Sequence, residues 1–172
     1  KKTVTESITN AETNLRNAFL VRGAVAYGRK NYELALASFE QLTLLNPQDT
    51  SMHLNAGVTA KMLKKYPEAI KHFKNVIRLN SPMSKDLFSE MIAMTLNDMK
   101  DTTATLGLLE EAIAKFPNEA NFVGIQTDIY IAQGNIQKTQ ESLKKLIEKE
   151  PSKAVYHYLL GDTYYKQALS IQ

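Results

Sequence analysis

The sequence predicts an all-α protein, a tandem array of stacked helix–turn–helix units. Three observations carry the prediction. Prolines close similar phrases at Pro47, Pro82, Pro117 and Pro151; Pro117 to Pro151 is 34 residues, and Pro47 to Pro117 is 70, which fits one step of 34 and one of 36. Between the prolines, apolar residues recur at i, i+3, i+7 and i+10, which is one stripe of an amphipathic helix. No segment alternates with period two over enough length for a strand.

Taken in order, the first helix is expected over 13–28, with Phe19, Leu20, Gly23, Ala26 and Tyr27 on its apolar side, and the breakers Gly28-Arg29-Lys30-Asn31 after it. Tyr32, Leu34, Ala35, Phe39, Leu42 and Leu45 mark a second helix over 32–45, which Pro47 stops. The pattern then repeats. Helices are expected over 50–63 and 67–80 around Leu63-Lys64-Lys65, over 86–98 and 102–115, and over 119–132 and 136–149 around Gln133-Gly134-Asn135. A ninth falls at 153–168. Columns run through the units: Ala35, Ala69, Thr105 and Thr139; then Phe39, Phe73, Leu109 and Leu143; then Leu42, Val76, Ala112 and Leu146. In the first halves Gly23, Gly57, Ala93 and Gly161 align as small residues, which let two helices approach closely, and Thr127 weakens that column. The two extra residues of the third unit belong either to Pro82-Met83-Ser84-Lys85 or to the turn at Asp98–Asp101.

Composition narrows the function. The 172 residues are 44% hydrophobic and 23% charged, with a formal charge of +3, which is ordinary for a globular chain and does not imply a polyanion partner. With no Cys there is no disulfide scaffold, thiolate zinc site, iron–sulfur cluster or thiol nucleophile. No apolar run in these residues reaches the ~18 of a membrane span, and none of them reads as a signal peptide.

The repeat resembles the tetratricopeptide family, which places large, Gly, Tyr, Ala, Phe and Pro residues at set positions within about 34 residues. Phe19, Gly23, Tyr32, Ala35, Phe39 and Pro47 carry the first repeat; Gly57, Tyr66, Ala69 and Phe73 the second; Tyr130, Gly134, Leu143 and Pro151 the fourth; Leu160, Gly161 and Tyr164 open a fifth. Repeat three departs, with Thr105 and Leu109 at the Ala and Phe slots. The resemblance implies a right-handed α-α superhelix of about 4.5 repeats and nine helices. Its parts would be an N-terminal extension over 1–12 and an array over 13–172, divided near 16–49, 50–85, 86–119, 120–153 and a partial 154–172.

The resemblance also implies a concave groove lined by first helices. Carried over residue by residue, the lining is Asn17, Leu20, Ala24 and Tyr27; Ser51, Leu54, Val58, Lys61 and Met62, with Asn55 at the lip; Leu87, Glu90, Met94 and Asn97; Asn121, Gly124, Asp128 and Ile131; then Tyr158, Asp162 and Tyr165. Met adapts to irregular partners, and Asn bonds an extended backbone as donor and acceptor. The alternative is that Leu20, Leu54, Val58 and Met94 simply pack against second helices. The carboxylate clamp known in this family is absent: Leu20/Ala24 and Leu54/Val58 stand where it needs Lys and Asn, and only Asn55 matches.

Charge is uneven. Lys61, Lys64, Lys65, Lys71, Lys74 and Arg78 face Glu68 alone, while Asp101, Glu110, Glu111, Glu119 and Asp128 face Lys115 alone. The basic run reads as a solvated outer face rather than a nucleic-acid site, because Tyr66 and Phe73 beside it fill core columns and leave no stacking platform. Nothing points to catalysis, a cofactor or a metal. His53 and His157 share the family's large-residue slot and are expected to pack, and His72 to project beside Lys71; no two His lie four apart on one helix. Glu110 and Glu111 are neighbours that point to different sides, and no glycine motif cradles phosphate.

The ends carry expectations too. Lys1 is no initiator Met, so a preceding segment is expected to have been removed, and Lys-Lys before a Thr/Ser-rich stretch suits an exported bacterial protein, of the periplasm or envelope rather than the cytoplasm. Residues 1–12 read as a spacer or as the tail of a preceding element. Tyr156, Tyr158, Tyr164 and Tyr165 crowd the last helix, which implies further repeats beyond Gln172 or a homodimer through that helix. The expected function is a non-catalytic scaffold that binds a peptide or partner helix in the groove; the alternative is an assembly module using the C-terminal helix.

Overall fold

The computed structural model describes residues 2–169. Lys1, counted in the expected N-terminal extension, and residues 170–172 of the partial fifth repeat lie outside the described residues. Among the described residues the chain is all helix, with no strand: α1 Lys2–Gly28, α2 Tyr32–Leu45, α3 Thr50–Met62, α4 Tyr66–Arg78, α5 Ser84–Ala93 continued by a π-helical turn at Met94–Asp98, α6 Thr102–Lys115, α7 Ala120–Ala132, α8 Ile136–Lys149 and α9 Ala154–Leu169. The expected helices are all present within about two residues, α1 excepted. There the stretch over 2–12, which fits no repeat column, continues the first helix instead of forming a separate segment.

The turns inside the hairpins share one construction. Lys30, Lys64, Lys100 and Gly134 adopt positive φ (60°, 59°, 54° and 66°), each just before the residue that caps the second helix. Asn31 accepts from Leu34 N–H, Asp101 from Ala104 N–H and Asn135 from Lys138 N–H, satisfying helix-start donors that would otherwise be orphaned. Lys65 has no such cap, and Pro67 beside it presets the helical φ instead.

The chain forms two compact units, residues 1–87 and 88–172. In the first, α1 packs on α2, α2 on α3 and α3 on α4. Its core is Ala26, Ala35, Leu36, Phe39, Leu42, Met52, Ala56, Ala60, Ala69, Phe73 and Val76. Close approach depends on glycine: a Cβ on Gly23 would stand 2.7 Å from Phe39 Cε1, and one on Gly57 would stand 2.5 Å from Phe73 Cε1.

In the second unit α6 packs on α7, α7 on α8 and α8 on α9. Val123, Leu143 and Leu146 form a buried cluster, with Tyr156, Leu159 and Leu160 packed against it. Phe116 meets Phe88 and Phe122 at ring distances of 6.2 and 6.4 Å. Thr95 and Thr105, whose hydroxyls are 2.9 Å apart, fill the column that holds Ala60 and Ala69 in the unit before.

The two extra residues of the third repeat are split, one to each candidate place. Five residues join α4 to α5, against four between α2 and α3, and Asn80 at φ 56° takes up the extra one. The other sits in the π-helical turn, where Met99 N–H donates to Met94 O. Its mark is in the turn bonds: Asn31→Ala26, Lys65→Ala60 and Asn135→Tyr130 each span five residues, while Asp101→Thr95 spans six. A π-bulge is how a helix absorbs one inserted residue without losing its hydrogen bonds. The register of α5 is therefore 35 residues from α3 rather than 36: the buried set Met52, His53, Ala56, Gly57, Thr59, Ala60 recurs as Leu87, Phe88, Met91, Ile92, Met94, Thr95. Ile92, not Ala93, thus holds the small-residue slot, and Ala93 is exposed.

Candidate functional site

In the first unit, α1 and α3 face one hollow of about 450 Å³, lined by Leu20, Ala24, Tyr27, Phe39, Leu54, Asn55, Val58, Thr59 and Met83. Its position follows from register. With Gly23 and Ala26 turned to α2, the helical period sends Leu20, Ala24 and Tyr27 to the adjoining face; with Ala56, Gly57 and Ala60 buried, it sends Leu54 and Val58 to the same side of α3. Tyr27 is steadied by an edge-on contact with Tyr32, ring centroids 5.4 Å apart. Thr59 Oγ1 donates to Asn55 O at 2.6 Å, so that hydroxyl is spent within the helix. The Asn55 amide has no hydrogen-bond partner among the described residues, which leaves one donor–acceptor group in an otherwise apolar wall.

Six of the residues picked from sequence meet here: Leu20, Ala24, Tyr27, Leu54, Asn55 and Val58. Met83, in the α4–α5 connection, lines the hollow as well and carries no sequence signal for it. The remaining residues of the first unit lie elsewhere. Asn17 lines a different hollow, Ser51 and Met62 are exposed, and Lys61 is half-buried.

In the second unit the predicted residues do not gather. Met94 is 2% exposed and Leu87, the last residue of the first unit, is also buried; both are core, because the 36-residue spacing used to place them is one residue too long for α5. Glu90 is half-buried, and Asn97, Asn121 and Asp128 are exposed. Ile131 and Asp162 line a cleft of about 90 Å³ with Leu159 and Lys166, and Lys166 pairs with Asp162 at 2.7 Å. That ion pair holds the Lys166 ammonium above its usual range. Tyr158 and Tyr165 are exposed.

Sequence reasoning missed the pairing of two histidines. His72 does not project outward; it is buried against His53, with their Nδ1 atoms 3.1 Å apart. His53 Nε2 lies 3.1 Å from Pro47 O, which can only accept, so His53 carries its proton on Nε2 and offers a lone pair at Nδ1. His72 must then carry its proton on Nδ1. Burial, followed by the nearness of His53 and Lys71, holds His72 down at a pKa of about 4. His157 repeats the bond, Nε2 to Pro151 O at 3.0 Å, on an exposed surface. Among the described residues no group of three or more His, Asp or Glu side chains could hold a metal, and no helix is long and apolar enough to cross a membrane.

Comparison with known proteins agrees with this architecture. The tetratricopeptide-repeat family model matches residues 20–83. Human antiviral innate immune response effector IFIT1 is 25% identical over 153 residues, covering 84% of this chain, which spans 32% of that relative's length. A TPR repeats protein from Bacteroides fragilis of known structure superimposes with a TM-score of 0.67 at 25% identity, covering 91% of this chain and 73% of that one. The structure of YrrB, described as a TPR protein with an unusual peptide-binding site, superimposes at 0.52 and 18% identity, covering 87% and 76%.

Proposed function

We propose that this chain, whose residues 20–83 match the tetratricopeptide-repeat family model, is a protein-interaction scaffold that binds an apolar-anchored peptide or partner helix in the hollow between α1 and α3. The observation that carries the reading is the lining. A hollow of about 450 Å³ with aliphatic, Met and Tyr walls accommodates one or two large apolar side chains, and the free amide of Asn55 is placed for a backbone group of the same segment. The YrrB description, a peptide-binding TPR protein, supports the class of ligand. Peptide-display selection against the chain tests it. Enriched sequences should carry a large apolar anchor and lose binding to Leu54→Asp, whose circular dichroism stays unchanged because Leu54 is only half-buried. Binders indifferent to that substitution contradict the reading.

A second reading, assembly through α9, draws on one observation: Val155, Tyr158, Tyr164, Tyr165 and Leu169 are all exposed on a single helix. It requires that Tyr158→Ser with Tyr164→Ser lower the mass of the particle in solution.

A further inference from the structure

The helix α1 is 27 residues long, against 14 for α2 and 13 for α3, and residues 3–18 are exposed throughout. Exposure alone says little, but the pattern is specific. Val4, Ala11, Ala18 and Val25 recur every seven residues, and Ile8, Leu15, Arg22 and Arg29 follow each by four. Seven of the eight lie within α1 and form an a/d heptad seam, apolar from Val4 to Val25 except at Arg22, with Arg29 following in the turn. Its large apolar members are between 46% and 62% exposed. From Val4 to Val25 the seam runs ~32 Å at about 1.5 Å per residue, whereas a 14-residue neighbour such as α2 covers only ~21 Å of it.

The two halves of the seam differ. The C-terminal half, backed by α2, borders a hollow of about 630 Å³ whose apolar walls include Ala18, Val21, Val25 and Leu34. The N-terminal half presents Val4, Ile8 and Ala11. An isolated helix of this length is marginal in water, so that half gains from a partner.

We propose that two copies of this chain associate through α1 in antiparallel fashion, each N-terminal half seated in the other copy's hollow. Layering a against d sets Ile8 opposite Val25 of the second copy, Leu15 opposite its Ala18, and Ala11 opposite its Arg22. Ala11 leaves room for the guanidinium, and Glu12 flanks it with opposite charge. The parallel arrangement stacks Arg22 on Arg22 and Arg29 on Arg29, and is disfavoured by like charge. Arg16, just beside the two-fold axis, is held by Asp49 at 2.7 Å and does not oppose its own copy as a free cation.

Sedimentation velocity on the full chain gives the first test: a particle of twice 19.3 kDa is expected, and Ile8→Glu with Leu15→Glu should halve it with helicity kept, since both side chains are exposed. Orientation is read separately. The chain has no Cys, so thiols introduced at single positions are the only ones present. Ile8→Cys mixed with Val25→Cys should cross-link under mild oxidation, and Ile8→Cys alone should not. A monomer, a dimer indifferent to the Glu substitutions, or Ile8→Cys linking to itself overturns the proposal. A dimer abolished only by Tyr158→Ser with Tyr164→Ser assigns the contact to α9 and overturns it equally.

Discussion

The ring of Phe73 lies on the backbone of α3 at Gly57, so close that a Cβ there would stand 2.5 Å from Cε1 and 2.7 Å from Cδ1. This contact sets the spacing of α3 and α4, and through it the position of Leu54 and Val58 on the opposite side of α3.

Gly57→Ala is therefore expected to destabilise the fold by about 1–3 kcal/mol, the usual cost of overpacking, despite the better helix propensity of Ala. Later repeats suggest the remedy. Where the glycine column carries Ile92 and Thr127, the Phe column carries Leu109 and Leu143. Gly57→Ala combined with Phe73→Leu should recover part of the loss in a urea double-mutant cycle. Gly161→Ala is the control: its Cβ meets nothing within 4 Å, and it should be neutral or stabilising by up to ~1 kcal/mol.

Three lysines occupy the left-handed turn position that Gly134 fills with φ 66°. An L-residue there costs roughly 1–2 kcal/mol relative to glycine, offset partly by the greater chain entropy glycine loses on folding. Lys64→Gly and Lys100→Gly are expected to raise the melting temperature modestly, and Gly134→Ala to lower it.

The buried histidine pair makes stability depend on pH. His72 is neutral in the folded chain down to about pH 4, whereas in the unfolded chain it takes up a proton near 6.5. Between those values the unfolded state binds more protons, so stability falls as pH falls, by no more than about 3 kcal/mol in total. Above pH 6.5 this contribution is fully present. Urea midpoints measured from pH 7 to 4.5 should decline, and His72→Gln should flatten the decline.

The Thr105 hydroxyl, with one proton to donate, lies 2.8 Å from Asp101 O and 2.9 Å from Thr95 Oγ1, while Thr95 Oγ1 lies 3.0 Å from Met91 O. Thr105→Val strands part of this buried network and should cost ~1–2 kcal/mol. The double change Thr95→Ala with Thr105→Ala recreates the pair Ala60 and Ala69, and should cost less than the sum of its single changes by thermal melting.

Helix positions were legible in the sequence because each depends on a short-range signal: proline stops, breakers in the turns and one apolar stripe. The start of α1 was not, since Val4, Ile8, Ala11 and Leu15 follow alternating steps of four and three residues and fit no repeat column. The register of α5 escaped for a different reason. Sequence spacing reports that two residues are extra but not that a π-turn holds one of them, and that one residue moves Met94 from groove to core. At the candidate site, Leu20, Leu54, Asn55 and Val58 followed from helical periodicity within one unit. Met83 and the burial of His72 against His53 did not, because both depend on packing between elements, which periodicity along one helix does not encode.

The proposed docking of an apolar segment in the hollow between α1 and α3 has a direct readout in its lining methyls. Methyl NMR of the chain titrated with a display-selected peptide tests it most directly. Shifts are expected only at Leu20, Ala24, Leu54, Val58 and Met83, with Val4, Ile8 and Val155 unmoved. Shifts centred on α9 or on the outer seam of α1, with Leu54 and Val58 silent, would contradict it.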